Sequence, residues 1–240
     1  MLITLEGIDG SGKSTLHNGL KNRLADLHPV FTREPGMPYI GETIRNTIAT
    51  NNDPLVEATL FIADHAVHLA EVVRPALDTG GIVISDRYSD SRFAYQEVSL
   101  TGILPEPQRW LEAVHAGWSI RPDMTIILVL PVEIALSRIA ERREEREHFE
   151  RREFLERVQR NYLALAAKDP VRFILVNADC DKKTILDFVE ESIRIALQKK
   201  EVKINPDISP SYNISKSQDK DKNAKNINSH SYRNSLKSMQ

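Results

Sequence analysis

Residues 2–16 of the chain read LITLEGIDGSGKSTL, and they are the strongest indication of its fold. Five mostly apolar residues, 2–6, run directly into residues 7–14, which hold three glycines, one lysine and two serines. The spacing satisfies the phosphate-binding pattern G-x-x-x-x-G-K-[ST] at every fixed position. We therefore predict a strand, then a loop whose N–H groups hold phosphate oxygens, then a helix that begins at residue 13.

This loop predicts a site for a nucleoside triphosphate. Lys13 can reach the β and γ phosphates, and the Ser14 hydroxyl can join the ligands of a Mg²⁺ ion. A glycine-rich turn without a ligand is the alternative, and the complete pattern between a strand and a helix argues against it. The residues expected to contact ATP in this segment are Gly7, Ile8, Asp9, Gly10, Ser11, Gly12, Lys13, Ser14 and Thr15.

Composition narrows the class of protein. The 240 residues, 41% of them hydrophobic, suit one domain of about 200 residues with an additional segment. A net charge of −2 gives no reason to expect a nucleic-acid partner. Cys180 is the single cysteine, which excludes an internal disulfide and fits a cytoplasmic protein. We expect neither a signal peptide nor a membrane-spanning segment.

Short apolar runs alternate with longer amphipathic segments, which predicts a parallel sheet with helical crossovers. The fold class is therefore α/β, with a five-stranded sheet between two helical layers and a helical lid, as in P-loop NTPases. The predicted strands are 2–6, 30–34, 81–86, 124–130 and 172–178. The predicted helices are 13–27, 40–50, 54–78, 92–98, 106–117, 132–145, 151–168 and 181–199.

Charged side chains follow the ends of two predicted strands. Asp86 ends the third strand, where it can orient Mg²⁺ through water, and Arg87 comes directly after it. Arg33 ends the second strand. Because the carboxyl ends of parallel strands meet at one edge of the sheet, these arginines predict a second phosphate site, for an acceptor. An ion pair between Arg87 and Asp86 is the alternative reading.

Five separated motifs together resemble the thymidylate kinase family, over residues 2–198. The resemblance implies transfer of phosphate from ATP to dTMP with Mg²⁺, a role in dTTP biosynthesis, and a homodimer. The motifs are EGIDGSGKST (6–15), TREPG with GETIR (32–45), LFIADHA (60–66), DRYSDSRFAYQ (86–96) and FLERVQRNYLALA (154–166).

The resemblance also implies roles for individual residues at the acceptor site. Asp9 approaches the sugar hydroxyl and the metal region, Phe61 stacks on thymine, and Tyr95 lies against the deoxyribose. From the helical pattern alone, Phe61 would be assigned to the core. The full set of expected acceptor-binding residues is Asp9, Arg33, Phe61, His65, Arg87, Ser91, Arg92 and Tyr95.

The chain departs from the family pattern at the predicted base site. Many members have an arginine that reaches a thymine carbonyl at the position of His65. A neutral imidazole can still donate one hydrogen bond. Arg92, where the family often has a small polar residue, is the other candidate for that contact.

Residues 138–152, RIAERREEREHFERR, form the predicted lid. Some family members carry an arginine inside the P-loop, where this chain has Gly10, and others carry their catalytic arginines in the lid, so the lid type applies here. A solvated helix with ion pairs such as Glu147 to Arg151 is the alternative. The lid also departs from the family at residues 147–150, which read EHFE in place of acidic-Arg-x-Glu.

The lid arginines complete the expected catalytic set. Arg142 and Arg146 are like charges four residues apart, and a bound polyphosphate would relieve their repulsion. Arg138 is expected nearer the adenine. The expected catalytic residues are Lys13, Asp9, Arg87, Arg142, Arg143 and Arg146.

Two other functions remain open at this stage. One is a kinase for another pyrimidine monophosphate, such as dUMP, and the other is a nucleotide-binding regulator without turnover. A GTPase is disfavoured, because residues 175–181 read LVNADCD and lack the N-K-x-D segment.

The last 36 residues, 205–240, are rich in Ser, Asn, Lys and Asp, and we predict a disordered tail after a domain that covers residues 1–204. Deleting this tail is expected to leave dTMP kinase activity and the thermal midpoint nearly unchanged, because the segment lacks apolar surface to pack. A coupled kinase assay and a thermal melt of both forms check this. A large loss of either would mean that the tail folds onto the domain or onto a partner.

Overall fold

The computed structural model describes residues 1–50, 53–141, 149 and 151–204. Two compact units divide the chain, Met1–Gln198 and Lys199–Gln240, and the second is described only as far as residue 204. The predicted lid arginines Arg142, Arg143 and Arg146, and the predicted tail, lie outside the described residues. Within the described part of the chain, no helix is long and apolar enough to cross a membrane.

Five parallel strands form one sheet, as predicted from the alternation of strands and helices. Their order across the sheet is β2-β3-β1-β4-β5. The strand that carries the glycine-rich loop is therefore central, between β3 and β4. The strands are β1 Leu2–Gly7, β2 Val30–Arg33, β3 Val83–Asp86, β4 Met124–Val129 and β5 Phe173–Asn177.

Both faces of the sheet are covered. All six residues of β1 are buried. Ile3 and Leu5 pack into the larger hydrophobic cluster, whereas Leu2, on the opposite face, packs with Val83 and Tyr88. Burial on both faces explains why the central strands lack a polar alternation.

Helices flank the sheet and connect its strands. They are α1 Lys13–Arg23, α2 Pro38–Ala49, α3 Pro54–His68, α4 Arg74–Asp78, α5 Ser89–Leu100, α6 Pro107–His115, α7 Val132–Ala140, α8 Arg152–Lys168 and α9 Lys182–Ile204.

The helix predicted over residues 54–78 is interrupted. A π-helical turn, Leu69–Val73, separates α3 from α4. Pro75 has no N–H to donate to the carbonyl of Glu71, so a regular α-helical ladder cannot continue through this point. The helix predicted from residue 92 also begins earlier, at Ser89. It therefore includes Ser91 and brings that side chain next to the strand ends.

Candidate active site

A cavity of about 370 Å³ opens at the carboxyl ends of β1, β2 and β3. Its wall combines the glycine-rich loop with charged residues from α2 and from the ends of β2 and β3. The lining residues are Asp9, Gly10, Gly12, Lys13, Ser14, Thr15, Arg33, Glu34, Pro35, Arg45, Asp86, Arg87 and Ile139.

The backbone of the loop leaves no room for a side chain at Gly10. This glycine has φ +78°, and a Cβ there would lie 2.3 Å from the carbonyl oxygen of Ala135 in α7. A larger residue would therefore both strain the backbone and collide with the neighbouring helix. This close packing fits the sequence argument that an arginine is not carried inside the loop.

Lys13 is folded back onto the loop that it follows. Its Nζ donates to the carbonyl oxygens of Gly7, at 3.0 Å, and Ile8, at 2.8 Å. Burial, with a further contribution from Arg87, lowers the pKa of Lys13 to about 8. The ammonium group is therefore already desolvated at the cavity wall, where it can bind an anion.

Ser14 and Asp86 meet where the loop faces β3. The Ser14 hydroxyl donates to Oδ2 of Asp86 at 2.8 Å, and both residues line the cavity. Hydroxyl and carboxylate oxygens suit Mg²⁺, which keeps several other ligands from water or phosphate. Among the described residues, no group of three or more acidic, histidine or cysteine side chains could hold a metal. An ion at this position would therefore depend on the phosphates that arrive with it.

Arg87 lies at the centre of the site. It has φ +68°, an uncommon left-handed conformation for a residue with a side chain. Its Nη2 contacts Asp9 Oδ1 at 2.5 Å and the Tyr95 hydroxyl at 3.3 Å. Its Nη1 donates to the Ser91 hydroxyl at 3.1 Å. Four predicted site residues thus form one connected group.

Asp9 is held as an anion within this group. Burial alone raises the pKa of Asp9, but the charges of Arg87 and Lys13 and a hydrogen bond from Tyr95 outweigh it and lower the pKa overall. Burial raises the pKa of Tyr95, so its hydroxyl stays protonated and donates to Asp9 Oδ2 at 2.9 Å.

Arg33 and Arg45 add positive charge to the cavity wall. Arg33 ends β2, as predicted, and Arg45 comes from α2. Arg45 was missed by the sequence analysis, although it belongs to the quoted motif GETIR. Arg45 is the one arginine of α2, and nothing in the spacing of a surface helix indicates that such a side chain faces a cavity.

Glu34, also in the cavity wall, is the centre of a buried network. It accepts hydrogen bonds from Nδ1 of His65, at 2.8 Å, and Nδ1 of His68, at 2.6 Å. Arg92 forms an ion pair with its other oxygen, Oε2. Burial raises the pKa of Glu34, but Arg92 and His65 outweigh it and hold the pKa well below its usual range. Glu34 is therefore an anion with three donors.

The surroundings of His65 define its protonation. Burial, followed by the charge of Arg92, lowers its pKa to about 4, so the ring is neutral. Because the Glu34 carboxylate only accepts, Nδ1 carries the proton. Nε2 then accepts from the Ser119 hydroxyl at 2.8 Å. Both ring nitrogens are occupied, and the side chain is fully buried.

The remaining predicted residues lie around this centre. Phe61 is half-buried against the larger hydrophobic cluster, and it is not part of the cavity wall. Arg138, on α7, donates to the carbonyl of Ala178 after β5 at 3.3 Å. Phe149 packs edge-on against Tyr95, with 6.0 Å between ring centroids.

A strand, a phosphate-binding loop and a helix lead into a cavity that three arginines also line, which defines a P-loop nucleotide-binding protein of the phosphotransferase class. Sequence comparison narrows this class. The family model described as thymidylate kinase matches residues 5–189. The chain belongs to the thymidylate kinase family.

Relatives agree over nearly their whole length. A protein of Methanocorpusculum labreanum named probable thymidylate kinase is 62% identical over 194 residues, which is 81% of this chain and 98% of the relative. Proteins with the same name from Methanoculleus marisnigri and Methanospirillum hungatei are 58% and 53% identical over 194 residues. Each of these two alignments covers 81% of this chain and 94% of the relative.

The depressed pKa of His65 makes stability depend on pH. In the unfolded chain His65 binds a proton near pH 6.5, whereas in the folded state it binds one only near pH 4. This contribution to stability is therefore present above pH 6.5 and is lost as the pH falls from 6.5 to 4, by up to about 3 kcal/mol. Urea unfolding of the wild type and His65→Gln across this range measures it. The wild type should lose more stability than the variant, and parallel curves would contradict the assignment.

Proposed function

We propose that the protein transfers the terminal phosphoryl group of ATP to the 5′-phosphate of dTMP and forms dTDP, a step in dTTP biosynthesis. The observation that carries this proposal is a single cavity with two sources of positive charge. One source is Lys13 of the P-loop, and the other is a set of arginines from other elements, Arg33, Arg45 and Arg87. An enzyme that only hydrolysed ATP would not need these arginines to bind an acceptor phosphate.

The donor side follows from the loop. The backbone N–H groups of residues 7–15 and the start of α1 bind the triphosphate. Ser14 and Asp86 would hold Mg²⁺, which neutralises phosphate charge when it is bound. Lys13 exchanges its carbonyl partners for phosphate oxygens, which restores a full charge partner to its buried ammonium group.

The acceptor side uses the arginines. Planar guanidinium groups bind phosphate through two hydrogen bonds, which fixes its orientation as well as its charge. Arg33, Arg45 and Arg87 surround the space where the acceptor phosphate would lie. Asp9 and Tyr95, which are hydrogen-bonded to each other, provide the surface for the deoxyribose.

The chemical step needs no general base. The acceptor phosphate is already an anion, so the protein has to bring two negatively charged groups into line and neutralise them. Arg87 contacts Asp9 in the loop and also lines the space for the acceptor phosphate. It can therefore neutralise charge on the donor as well as on the acceptor. Closure of residues 138–152 over the cavity would exclude water and supply Arg142, Arg143 and Arg146.

Base recognition rests on Arg92 in this proposal. His65 has both ring nitrogens occupied, whereas Nε of Arg92 is buried and has no hydrogen-bond partner in the described part of the chain. Of these two candidates, Arg92 is therefore the one with a donor left for a thymine carbonyl. Kinases for dUMP or another pyrimidine monophosphate, and a regulator without turnover, are the competing functions.

A cytoplasmic homodimer is part of the same proposal. The single cysteine, Cys180, is an exposed free thiol, in keeping with a reducing compartment. Helix α3 exposes Val56, which is 51% accessible, beside a shallow apolar depression lined by Leu55 and Leu60. Such a face suits contact with a second copy.

Lys13→Ala is expected to reduce phosphoryl transfer more than about tenfold, because it removes the charge beside the migrating group. A coupled assay with ATP and dTMP measures the rate. Lys21→Ala is the matched control, since Lys21 lies on the exposed side of the same helix and should leave the rate unchanged. A Lys13→Ala rate above about a tenth of the wild type would remove this lysine from the mechanism.

Arg92→Ala is expected to narrow the preference for dTMP over dCMP by about tenfold, and His65→Ala by less. The reason is that thymine presents a carbonyl at C4 and cytosine an amino group, so a lost donor weakens only the first. The measurement is kcat/KM for dTMP, dUMP and dCMP with each variant. Arg92→Lys retains the charge beside Glu34 and controls for its loss.

The ratio of kcat/KM for dTMP to kcat/KM for dUMP should stay constant in these variants, because those nucleotides differ only in a methyl group. Unchanged ratios of dTMP to dCMP in both variants would contradict a role of either residue at the base. A wild type that phosphorylates none of the three nucleotides would favour the inactive regulator instead.

A further inference from the structure

Glu6 is a buried carboxylate next to the site, and the mechanism above does not use it. It precedes the glycine-rich loop at the end of β1, is fully buried, and is not part of the cavity wall. It accepts three hydrogen bonds: from the backbone N–H of Tyr88 at 2.8 Å, the Ser91 hydroxyl at 2.6 Å and the Tyr162 hydroxyl at 2.8 Å.

Two of these bonds act on the residues that hold Arg87. Tyr88 directly follows Arg87, so its bond to Glu6 anchors the chain immediately after the left-handed residue. Ser91 accepts a hydrogen bond from Arg87 Nη1 while it donates to Glu6. Glu6 thus restrains Arg87 at both its backbone and its guanidinium group.

The charge of Glu6 is costly to the fold. Burial, with Asp90 adding to it, raises the pKa of Glu6 to about 7, even though Ser91 and Arg87 act against the shift. No ion pair among the described residues includes Glu6. A buried carboxylate without an ion pair generally makes the folded protein less stable than a neutral residue of the same shape would. Stability alone therefore does not explain an acid at this position.

We propose that Glu6 is a positioning residue that fixes Arg87 for binding of the acceptor phosphate. Above pH 7 Glu6 is mainly ionised. An ionised carboxylate only accepts hydrogen bonds, so it makes the Ser91 hydroxyl point its proton towards Glu6. The lone pairs of Ser91 Oγ are then turned towards Arg87 Nη1. A glutamine at residue 6 would present an N–H donor to Ser91. The Ser91 hydroxyl would then no longer be held with its proton towards residue 6 and its lone pairs towards Arg87.

The contact from Tyr162 extends this arrangement to another helix. Tyr162 belongs to α8, which begins at Arg152, the last residue of the predicted lid. Its hydroxyl lies 2.9 Å from Ser91 Oγ as well as 2.8 Å from Glu6. The same carboxylate therefore joins β1, α5 and α8 through hydrogen bonds.

The test is a double-mutant cycle between Glu6→Gln and Arg87→Ala, and it rests on the proposed function. Transfer from radiolabelled ATP to dTMP detects the slow variants. Glu6→Gln should lower kcat/KM for dTMP about tenfold and change KM for ATP less than about twofold. In the Arg87→Ala background it should have almost no further effect.

Thr4→Val is the matched control, because Thr4 lies two residues away on the same strand and its hydroxyl forms a hydrogen bond with Thr125 rather than with the residues around Arg87. It should leave kcat/KM unchanged. Ser91→Ala breaks the link to Arg87 without altering the carboxylate, and it should reproduce the effect of Glu6→Gln. This second variant keeps the test decisive if Glu6→Gln does not fold.

Independent, multiplicative effects of Glu6→Gln and Arg87→Ala would overturn the inference. An equal rise of KM for ATP and for dTMP would also overturn it, since that result describes a general distortion of the fold. A wild type without transfer to dTMP would instead refute the proposed function, and the two failures are thus distinguishable.

Discussion

The ion pair between Arg87 and Asp9 is the contact on which the rest of the site depends. It joins the segment after β3 to the glycine-rich loop after β1, with 2.5 Å between Nη2 and Oδ1. Tyr95 closes the group, because its hydroxyl contacts both partners and its ring lies 4.9 Å from the guanidinium carbon. The left-handed backbone of Arg87 is tolerated because these contacts, and those to Glu6 behind them, determine its conformation.

A second constraint is the balance of charge behind the cavity. Arg92 adds a buried cation and Glu34 a buried anion, and each neutralises the other. His65 can then stay neutral and serve as a donor to Glu34 rather than as a free group at the cavity. The arginine on α5 and the histidine on α3 are therefore parts of one network, and a change in either alters the hydrogen bonds of the other.

Much of the fold could be predicted from the sequence because its signals are local. The phosphate-binding pattern and the apolar runs place every strand within a few residues of its observed bounds, and Arg33 and Arg87 follow from the strand ends. Contacts between distant segments were not predictable in this way. No spacing indicates that Arg45 turns towards the cavity, or that residues 65 and 92 share one carboxylate at residue 34. Glu6 looked like the polar end of a strand, and its partners lie more than 80 residues away.

In the proposed function both phosphates bind in one cavity and react directly, without a covalent intermediate on the protein. The most direct measurement is the stereochemistry at the transferred phosphorus, with ATP made chiral at its terminal phosphate by oxygen isotopes and sulfur. A single in-line transfer to dTMP inverts the configuration, so we expect inversion. Retention would contradict it, because two successive transfers through a protein side chain would then be required.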